Sequence, residues 1–342
     1  MARSLVRTYS QLAELPLAIE RYELERLEQS VSRGFSRVTT VVHLHGGGEE
    51  GVGEDVTWYT EAHNEHQAAG AVLPLDGSWT LESFSAALEI PEPHRRWAYE
   101  SAALDLALRQ AGHSLAEAVG REPRPVRFVV SAALGDEPSV APLLRWLELY
   151  PGLRFKLDPS SKWDDELVAE LAGTGTVDTV DLKAFYRDPA VDPPPDLALY
   201  RRVAEGFPQA WIEDPALTPE TEAVLKPHLE RITWDAPIHS VADVDALAFP
   251  PRTLNSKPSR FGSLEGICDF YDYCEERGIG LYGGGMFELG PGRGQIQYLA
   301  SLFHPDAPND VAPGGYNAAE PRAGLPESPL EPGPAPTGFR WV

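Results

Sequence analysis

The chain has 342 residues, of which 42% are hydrophobic and 24% are charged, and 29 basic against 52 acidic residues give a net charge of −23. This composition is typical of globular proteins and excludes a disordered chain. The acidic excess argues against a nucleic-acid partner, which would need a clustered basic face. The apolar runs are too short to span a bilayer, so we also expect no membrane partner.

The N-terminal segment and the cysteines indicate the compartment. The stretch MARSLVRTYSQLAELPL lacks the continuous apolar core of a signal peptide. Cys268 and Cys274 lie six residues apart on a predicted helix, where neither a disulfide nor a zinc site is expected. These features predict a cytoplasmic protein.

Residues 1–124 are predicted to form an α+β domain. The stretches LAIERYELERLEQ and SRVTTVVHLHGG alternate as strands and are joined by the polar loop SVSRGFS. A glycine-rich turn, GGGEEGVGED, leads into another strand. Residues 95–120 have helical spacing, and Gly120 is the predicted C-cap.

Residues 125–315 alternate between short apolar runs and polar helical stretches, which predicts an α/β fold with a parallel sheet. Seven or eight such units within about 190 residues favour a closed TIM-type barrel. The first strand is not followed by G-x-G-x-x-G, which disfavours an open dinucleotide-binding sheet. The proline-rich tail, residues 316–342, is predicted to pack near the first domain.

Five ionisable residues stand at or near the carboxyl ends of successive predicted strands: Lys156, Asp181, Glu213, Asp235 and Lys257. Their separations of 25, 32, 22 and 22 residues each match about one strand–helix unit. Each side chain would therefore arrive at the same rim of the barrel. A single acid at a strand end is usually a helix cap or a loop residue, but five in register are hard to obtain by chance.

Three converging carboxylates repel one another and demand a cation. Oxygen ligands without cysteine or histidine favour Mg²⁺, with Mn²⁺ as the alternative. Two lysines beside such a metal can stand on opposite faces of a substrate, and a lysine near other positive charges has a lowered pKa and can act as a base. The metal would stabilise the enolate formed when a carbon acid next to a carboxylate loses its proton. The predicted reaction is proton abstraction α to a carboxylate.

Several stretches resemble the enolase superfamily and, within it, the muconate-lactonizing-enzyme-like subgroup: LRFKLD, VDLKAF, WIEDP, TWDAP, LNSKPSRFGSL and GGGMFELGPGRGQIQYLASLF. The resemblance covers most of the chain. It implies a modified (β/α)7β TIM-type barrel with an α+β capping domain. It also implies that Asp181, Glu213 and Asp235 bind metal and that Lys156 and Lys257 are the catalytic acid and base.

A second set of residues is predicted to contact the substrate: Arg154, Lys183, Asn255, Glu288, Arg33 and Phe35. Arg154 replaces the first lysine of the family's K-x-K strand, Asn255 precedes Lys257 by two positions, and Glu288 falls where the family often has a glutamate. The loop that carries Arg33 and Phe35 resembles the family's mobile loop over the barrel mouth.

The chain departs from the family pattern at three positions. The usual D-A-N reads Asp181-Leu182-Lys183, the glycine that often follows the base is Asp158, and the acid after the third ligand is Ala236. Residues i and i+2 of a strand share a face, so Lys183 is predicted to point towards the same cavity as Asp181. It would there bind a substrate carboxylate or pair with an acidic metal ligand.

The predicted function is Mg²⁺-dependent abstraction of the α-proton of a small carboxylate substrate. Racemisation or epimerisation, β-elimination by a dehydratase, and cycloisomerisation all use the same parts. The alternative is a catalytically inert relative that binds metal or ligand on the same fold, and association into homo-oligomers is expected.

Two further residues are interpreted without a catalytic role. Asp214 follows Glu213 with opposite strand parity and is predicted to begin the next loop, so that Asp214→Asn would leave Mg²⁺ affinity unchanged while Glu213→Gln would lower it. His304 is placed at a helix end, where a cationic side chain suits the dipole.

Overall fold

The computed structural model describes residues 7–32, 35–185, 195–318 and 320–341. Its N-terminal part contains a two-stranded antiparallel sheet (β1 with β5), a three-stranded antiparallel sheet (β2, β3 and β4) and four helices. In chain order the elements are β1 (Pro16–Ile19), β2 (Arg21–Ser32), β3 (Phe35–Gly46), β4 (Glu49–Asp55), α1 (Thr60–Ala69), β5 (Gly77–Thr80), α2 (Leu81–Ala87), α3 (Pro93–Ala111) and α4 (Leu115–Val119). This is the predicted α+β cap.

The hairpin between β2 and β3 is longer than predicted. The expected loop SVSRGFS is mostly strand, because pairing continues as far as Ser32 with Phe35, past a register shift that begins at Ser30. Arg33 lies outside the described residues, and so does the side chain of Phe35. Their predicted contacts with substrate stay predictions.

Helix α3 packs so closely against β4 that two glycines are required there. A Cβ atom at Gly51 would lie 2.2 Å from the carbonyl oxygen of Ala102, and one at Gly53 would lie 2.0 Å from that of Ala98. The predicted helix over 95–120 is in fact two helices, α3 and α4, because Gly112 ends the first in the left-handed conformation. Gly120 caps the second, as predicted.

The elements that follow α4 in the described part of the chain form the barrel. Its elements in chain order are β6 (Val130–Ala133), α5 (Ala141–Leu149), β7 (Phe155–Asp158), α6 (Asp165–Gly173), β8 (Val177–Asp181), α7 (Leu197–Gly206), β9 (Trp211–Glu213), α8 (Pro219–Leu225), β10 (Ile232–Thr233), α9 (Val241–Asp245), β11 (Thr253–Ser256), α10 (Pro258–Phe261), α11 (Leu264–Arg277), β12 (Gly280–Gly283) and α12 (Pro291–Phe303). Seven strands are therefore each followed by at least one helix.

The strands follow one another around the barrel in sequence order. Strands β6 to β10 form one parallel sheet and β11 and β12 another, joined where Asn255 N–H donates to the carbonyl oxygen of Trp234 at 3.0 Å. A very short eighth strand closes the ring: Asn309 bridges to Phe128 and Asp310 to Gly284, both in parallel. This confirms the predicted (β/α)7β barrel with a cap.

His304 differs from its sequence interpretation. It is buried, its Nδ1 lies 2.7 Å from Asn309 Oδ1, and burial lowers its pKa to about 4. The side chain is therefore neutral at pH 7 and is not a cation at a helix end. Asn309 also accepts a hydrogen bond from Gly283 N–H at 2.6 Å, so His304 supports the residue that closes the barrel.

The tail is anchored to the cap helix α3. Phe339 is fully buried, its backbone N–H donates to Asp105 Oδ1 at 2.7 Å, and Arg340 Nε donates to the other oxygen of Asp105 at 2.7 Å.

The domain boundaries at 124/125 and 315/316 stay predictions. Cys268 and Cys274 are buried free thiols, as expected. Within the described ranges, none of the helices combines the length and apolar character needed to cross a membrane.

Candidate active site

Lys156 lies among carboxylates at the carboxyl ends of neighbouring barrel strands. Its Nζ forms an ion pair with Glu213 and lies 3.1 Å from Asp181 Oδ2 and 3.8 Å from Asp310 Oδ2. Strands β7, β8 and β9 are adjacent in one parallel sheet, so the side chains at their ends meet at one rim. The structure thus brings Lys156, Asp181 and Glu213 together.

Asp181, Glu213 and Asp214 form a group of buried carboxylates, called the acid cluster below. One oxygen of each lies within 4.8 Å of the others, a spacing that could hold a metal ion. Asp235, the third predicted ligand, does not belong to this group. Asp181 and Glu213 are therefore common to the acid cluster and to the predicted metal triad.

The side chain of Asp214 turns inward. Its Oδ1 accepts a hydrogen bond from Asp235 N–H at 2.8 Å, and its Oδ2 accepts one from Ala236 N–H at 2.9 Å. The residue does follow the last position of β9, but its φ of 49° ends the strand alternation on which the parity argument depended. Asp214 therefore begins the loop after β9, as predicted, but its buried side chain belongs to the acid cluster, which strand parity did not indicate.

Asp235 faces two cations. Lys257 Nζ lies 2.8 Å from Oδ2, and Arg260 Nη1 lies 2.7 Å from Oδ1 and also donates to the backbone carbonyl oxygen of Asp235. Sequence reasoning missed Arg260. Its signal was the spacing of three residues after Lys257, which in the short helix α10 brings both side chains to one acid.

The two lysines have opposite electrostatic surroundings. Burial alone would lower the pKa of Lys156, but Asp181 and Glu213 outweigh it and raise the pKa well above its usual range. Burial lowers the pKa of Lys257, and the like charge of nearby Arg260 lowers it further. Asp235 raises it but does not outweigh these two effects. The two amines are therefore held differently within one site.

The acids also differ from one another. Burial raises the pKa of Glu213 well above its usual range, although Lys156 opposes this. Burial raises the pKa of Asp214 to about 7, and Asp235 and Asp181 add to the effect. For Asp181, Lys156 and Lys183 outweigh burial and lower the pKa to about 2. Tyr282, a residue that sequence reasoning missed, donates its hydroxyl to Glu213 from the other side of the barrel.

The donor set fits a divalent cation. Five carboxylates pair with four cationic side chains (Lys156, Lys183, Lys257 and Arg260), those of Asp158, Asp181, Glu213, Asp235 and Asp310, and Asp214 adds a sixth carboxylate through the acid cluster. Two negative charges are left over when all of these acids are ionised. A hard dication with oxygen ligands would balance them. The acid cluster, with Asp235 beside it, is where it would be held.

Lys183 reaches the site, but not as a strand residue. It follows the end of β8 with a φ of 52°, and its Nζ lies 3.1 Å from Asp181 Oδ2 and 3.3 Å from Asp158 Oδ1. The structure thus favours the second sequence interpretation, in which Lys183 pairs with an acidic ligand. Asp158, another departure from the family pattern, is its second partner.

Arg154 is not brought to the acid cluster. Its Nε lies 2.8 Å from both oxygens of Asp178, and its Nη1 donates to the Gly175 carbonyl oxygen at 3.0 Å. Asp178 lies near the beginning of β8 and Gly175 precedes that strand, so both partners are at the opposite end of β8 from Asp181. Arg154 itself precedes the first residue of β7, whereas Lys156 lies within the strand.

Asn255 lies inside the barrel with unused hydrogen-bonding groups. It is 2% exposed, and neither Oδ1 nor Nδ2 has a hydrogen-bond partner within the described part of the chain. A buried amide without partners is costly unless a ligand satisfies it. Asn255 lies on β11, two residues before Lys257, which directly follows that strand.

The contacts of Glu288 described below lie in the connection between β12 and α12 and at the start of α12. Its Oε1 accepts a hydrogen bond from Met286 N–H at 2.6 Å, and its Oε2 lies 3.1 Å from Arg293 Nη2. Its predicted contact with substrate stays a prediction, while its contacts organise this connection.

Two buried residues of the cap sheet hold the same connection. Arg37 donates to the carbonyl oxygens of Met286 at 2.9 Å and Phe287 at 3.3 Å, and Glu54 accepts hydrogen bonds from Leu289 N–H at 2.6 Å and Gly292 N–H at 2.9 Å. Sequence reasoning missed both residues, since charged positions in a strand gave no hint that they were buried. The cap thus shapes part of the barrel rim.

Comparison with known families gives two matches that together span most of the chain. Residues 10–118 match the domain of unknown function (DUF8230) N-terminal domain, and residues 122–318 match the domain of unknown function (DUF8230) C-terminal domain.

Curated relatives include racemases and synthases. An N-succinylamino acid racemase of Thermus thermophilus is 28% identical over 88% of this chain and 84% of its own. An o-succinylbenzoate synthase of Geobacillus stearothermophilus is 28% identical over 78% of this chain and 74% of its own. An N-succinylamino acid racemase of Amycolatopsis sp is 30% identical over 79% of this chain and 76% of its own.

Solved structures share the fold. An enolase-superfamily member of unknown function from Enterococcus faecalis V583 superimposes with a TM-score of 0.70 at 21% identity, covering 94% of both chains. Muconate cycloisomerase from Pseudomonas fluorescens superimposes with a TM-score of 0.66 at 19% identity, again covering 94% of both chains. The chain therefore belongs to the DUF8230 family within the muconate-lactonizing-enzyme-like subgroup of the enolase superfamily, and it is an enzyme of the isomerase or lyase kind.

Proposed function

We propose that this enzyme abstracts the α-proton of a small carboxylate substrate with the help of a divalent cation, Mg²⁺ or alternatively Mn²⁺, and racemises that substrate. When bound, the cation supplies positive charge that stabilises the enolate left by proton loss. Asp181 and Glu213 would hold it, with Asp214 or Asp235 as the third acid.

The observation that carries the proposal is the position of the two lysines around the barrel. Lys156 belongs to β7, the second of eight strands, and Lys257 directly follows β11, the sixth. Strands two and six of an eight-stranded ring lie across from each other, so the two amines approach the mouth from opposite sides. The acids of strands three, four and five occupy the arc between them.

This arrangement supports transfer of a proton across a flat intermediate. One lysine takes the α-proton from its face of the substrate, and the other lysine returns a proton to the opposite face, which inverts the carbon. A substrate with a leaving group on the β-carbon would lose that group after the first transfer and give an alkene. The same residues thus support β-elimination and cycloisomerisation as the alternative outcomes.

The names of the relatives suggest where to look for the substrate. Racemases of N-succinylamino acids and o-succinylbenzoate synthases both match most of this chain. An N-acylated amino acid carries an α-proton next to a carboxylate and an amide that can pair with another amide. Asn255, with both polar atoms unpartnered within the described residues, is suited to receive it. N-acylamino acids are therefore the proposed substrate class.

The test is conversion of single enantiomers. Purified enzyme with Mg²⁺ is incubated with a panel of N-succinyl and N-acetyl L-amino acids, and chiral chromatography follows the appearance of the D-form. A parallel incubation with β-hydroxy acids follows the loss of water by mass. Wild-type enzyme should produce the D-form of at least one member, and Lys257→Met should not. If no N-acylamino acid is inverted while a β-hydroxy acid is dehydrated, the racemase assignment is wrong and the elimination outcome is correct.

A further inference from the structure

Lys183 contacts both oxygens of a proposed metal ligand. Its backbone N–H donates to Asp181 Oδ1 at 3.0 Å, and its Nζ lies 3.1 Å from Asp181 Oδ2. The same Oδ2 lies 3.1 Å from Lys156 Nζ, so two ammonium groups meet at one carboxylate oxygen. A cation that binds Asp181 through Oδ2 has to share that oxygen with them or displace one.

The backbone holds Lys183 in this position. Its φ of 52° is left-handed, which is uncommon for a residue with a β-carbon. The neighbouring residues are tied to β9, since Leu182 N–H donates to the carbonyl oxygen of Glu213 at 2.9 Å and Ala184 N–H to that of Asp214 at 3.0 Å. The position of Lys183 beside Asp181 is therefore fixed by strand pairing on both sides and is not one of many arrangements of a surface lysine.

Asp158 gives the ammonium of Lys183 a second place to bind. Asp158 Oδ1 lies 3.3 Å from Nζ, at the end of the adjacent strand β7. A shift of the flexible lysine side chain towards Asp158 would leave Lys156 as the one described ammonium group at Asp181 Oδ2 and keep the Lys183 charge paired. Lys156 has less freedom, because its nearer partner, Glu213, belongs to the acid cluster itself and Asp310 Oδ2 is more distant, at 3.8 Å.

We propose that Lys183 and Asp158 act together to set the affinity of this site for its divalent cation, with Lys183 competing for Asp181 and Asp158 drawing the lysine away from it. The inference rests on the proposed metal site of the proposed function. It makes Lys183 and Asp158 positioning residues for a metal ligand, and it assigns opposite effects to the loss of each.

The experiment is a titration of the full-length protein with Mn²⁺, in which binding is measured by calorimetry and by the Mn²⁺ paramagnetic resonance signal. Lys183→Met removes the competing charge at similar side-chain length, so we expect binding about tenfold or more tighter, a factor that corresponds to about 1.4 kcal/mol. Asp158→Asn removes the partner that draws Lys183 away from Asp181, so we expect weaker binding by about the same factor. In the double variant the effect of Asp158→Asn should largely disappear, because its partner is gone.

Lys162→Met is the matched control. Lys162 is exposed, and its described partner is Asp136, outside the site. The variant has the same change in net charge as Lys183→Met and should bind Mn²⁺ as the wild type does. Circular dichroism checks that each variant is folded, and Lys183→Gln replaces Lys183→Met if the methionine variant does not fold.

The outcomes separate the two proposals. If the wild type binds Mn²⁺ and Lys183→Met binds it equally well or more weakly, Lys183 does not compete with the metal ion. That result would leave the metal site itself in place. If Asp158→Asn weakens Mn²⁺ binding as much in the Lys183→Met protein as in the wild type, the proposed pairing of Lys183 with Asp158 is wrong. Absence of binding in the wild type and in every variant at millimolar Mn²⁺ would overturn the proposed metal site and this inference with it.

Discussion

Asp214 holds the backbone of Asp235. The two oxygens of the Asp214 carboxylate accept hydrogen bonds from consecutive N–H groups, at 2.8 Å from Asp235 and 2.9 Å from Ala236. An acid that belongs to the acid cluster thus also fixes the start of the segment that presents the third predicted ligand to Lys257 and Arg260.

Asp214→Asn should therefore lower metal affinity, in contrast to the expectation from the sequence. The asparagine offers one carbonyl oxygen and one amino group, so one of the two N–H donors loses its acceptor. Leaving a buried donor unpaired costs about 1–3 kcal/mol, and we expect that loss of stability together with weaker Mn²⁺ binding. Urea denaturation and Mn²⁺ titration measure the two effects. The exposed Asp306→Asn is the control, and unchanged Mn²⁺ affinity in Asp214→Asn would restore the original interpretation.

Arg37→Met should destabilise the enzyme and loosen the barrel rim. Arg37 is 1% exposed and donates to carbonyl oxygens of the β4–α1 connection as well as to Met286 and Phe287. Several buried acceptors would lose their donor, so we expect a loss of roughly 3–5 kcal/mol. Hydrogen exchange of residues 284–292 should speed up. Exposed Arg124→Met, which breaks an ion pair with Asp306, should stay within about 0.5 kcal/mol of wild type.

Replacing Glu54 tests whether the faster hydrogen exchange expected in Arg37→Met arises from the connection at the barrel rim. Glu54→Gln keeps the size of the side chain but loses one of the acceptors for Leu289, Gly290 and Gly292 N–H. Faster exchange of 289–292 in this variant, with little change elsewhere, is the expected pattern. If exchange at the rim is unchanged in both variants, the cap does not hold this connection.

His304 should make stability fall as the solution becomes acidic. Burial lowers its pKa from 6.5 to about 4, so the folded protein disfavours the proton that the unfolded chain accepts. Its contribution is fully present above pH 6.5 and is lost as the pH falls towards 4, by roughly 3 kcal/mol in all. Chemical denaturation at pH 7.5, 5.5 and 4.5 measures it. His304→Gln should be less stable at pH 7.5 but flatter between pH 6.5 and 4.5; parallel curves for variant and wild type would contradict this account.

Replacing Lys156 and replacing Lys257 should affect α-proton exchange in different ways. If they act on opposite faces of the substrate, Lys156→Met should retain α-proton exchange for one enantiomer only, and Lys257→Met should retain it for the other. Exchange in ²H₂O of separate D- and L-substrates, read by mass, distinguishes the two. Equal loss of exchange from both enantiomers in each variant would indicate that one lysine acts only through its charge, as a one-face elimination requires.

The sequence could predict the barrel because each strand–helix unit repeats the same pattern at nearly constant spacing. It could not predict how the ring closes, since the eighth strand is a pair of bridges at Asn309 and Asp310 rather than an apolar run. The split between α3 and α4 was hidden for a related reason: Gly112 ends the helix within a stretch whose apolar spacing continues.

In the site, the residues at the ends of regular strands were predicted best. The parity argument does not apply where the backbone leaves the strand, as at Asp214 and Lys183, both with positive φ, although Lys183 reaches Asp181 as predicted. Arg154 precedes β7, and its described partner Asp178 lies near the beginning of β8, away from the acid cluster. Arg37 and Glu54 could not be found, because their partners are backbone groups some 240 residues away in the chain.

The central claim is that this enzyme removes an α-proton from a carboxylate substrate with the help of a divalent cation. The most direct measurement incubates the enzyme in ²H₂O with a pool of acylamino acids, sugar acids and cyclohexadiene acids, with Mg²⁺ or with EDTA, and follows mass gain. We predict a gain of one mass unit in at least one acid, with Mg²⁺ present and not with EDTA, and its loss in Glu213→Gln. No exchange in any acid would contradict the account and favour an inert relative on the same fold.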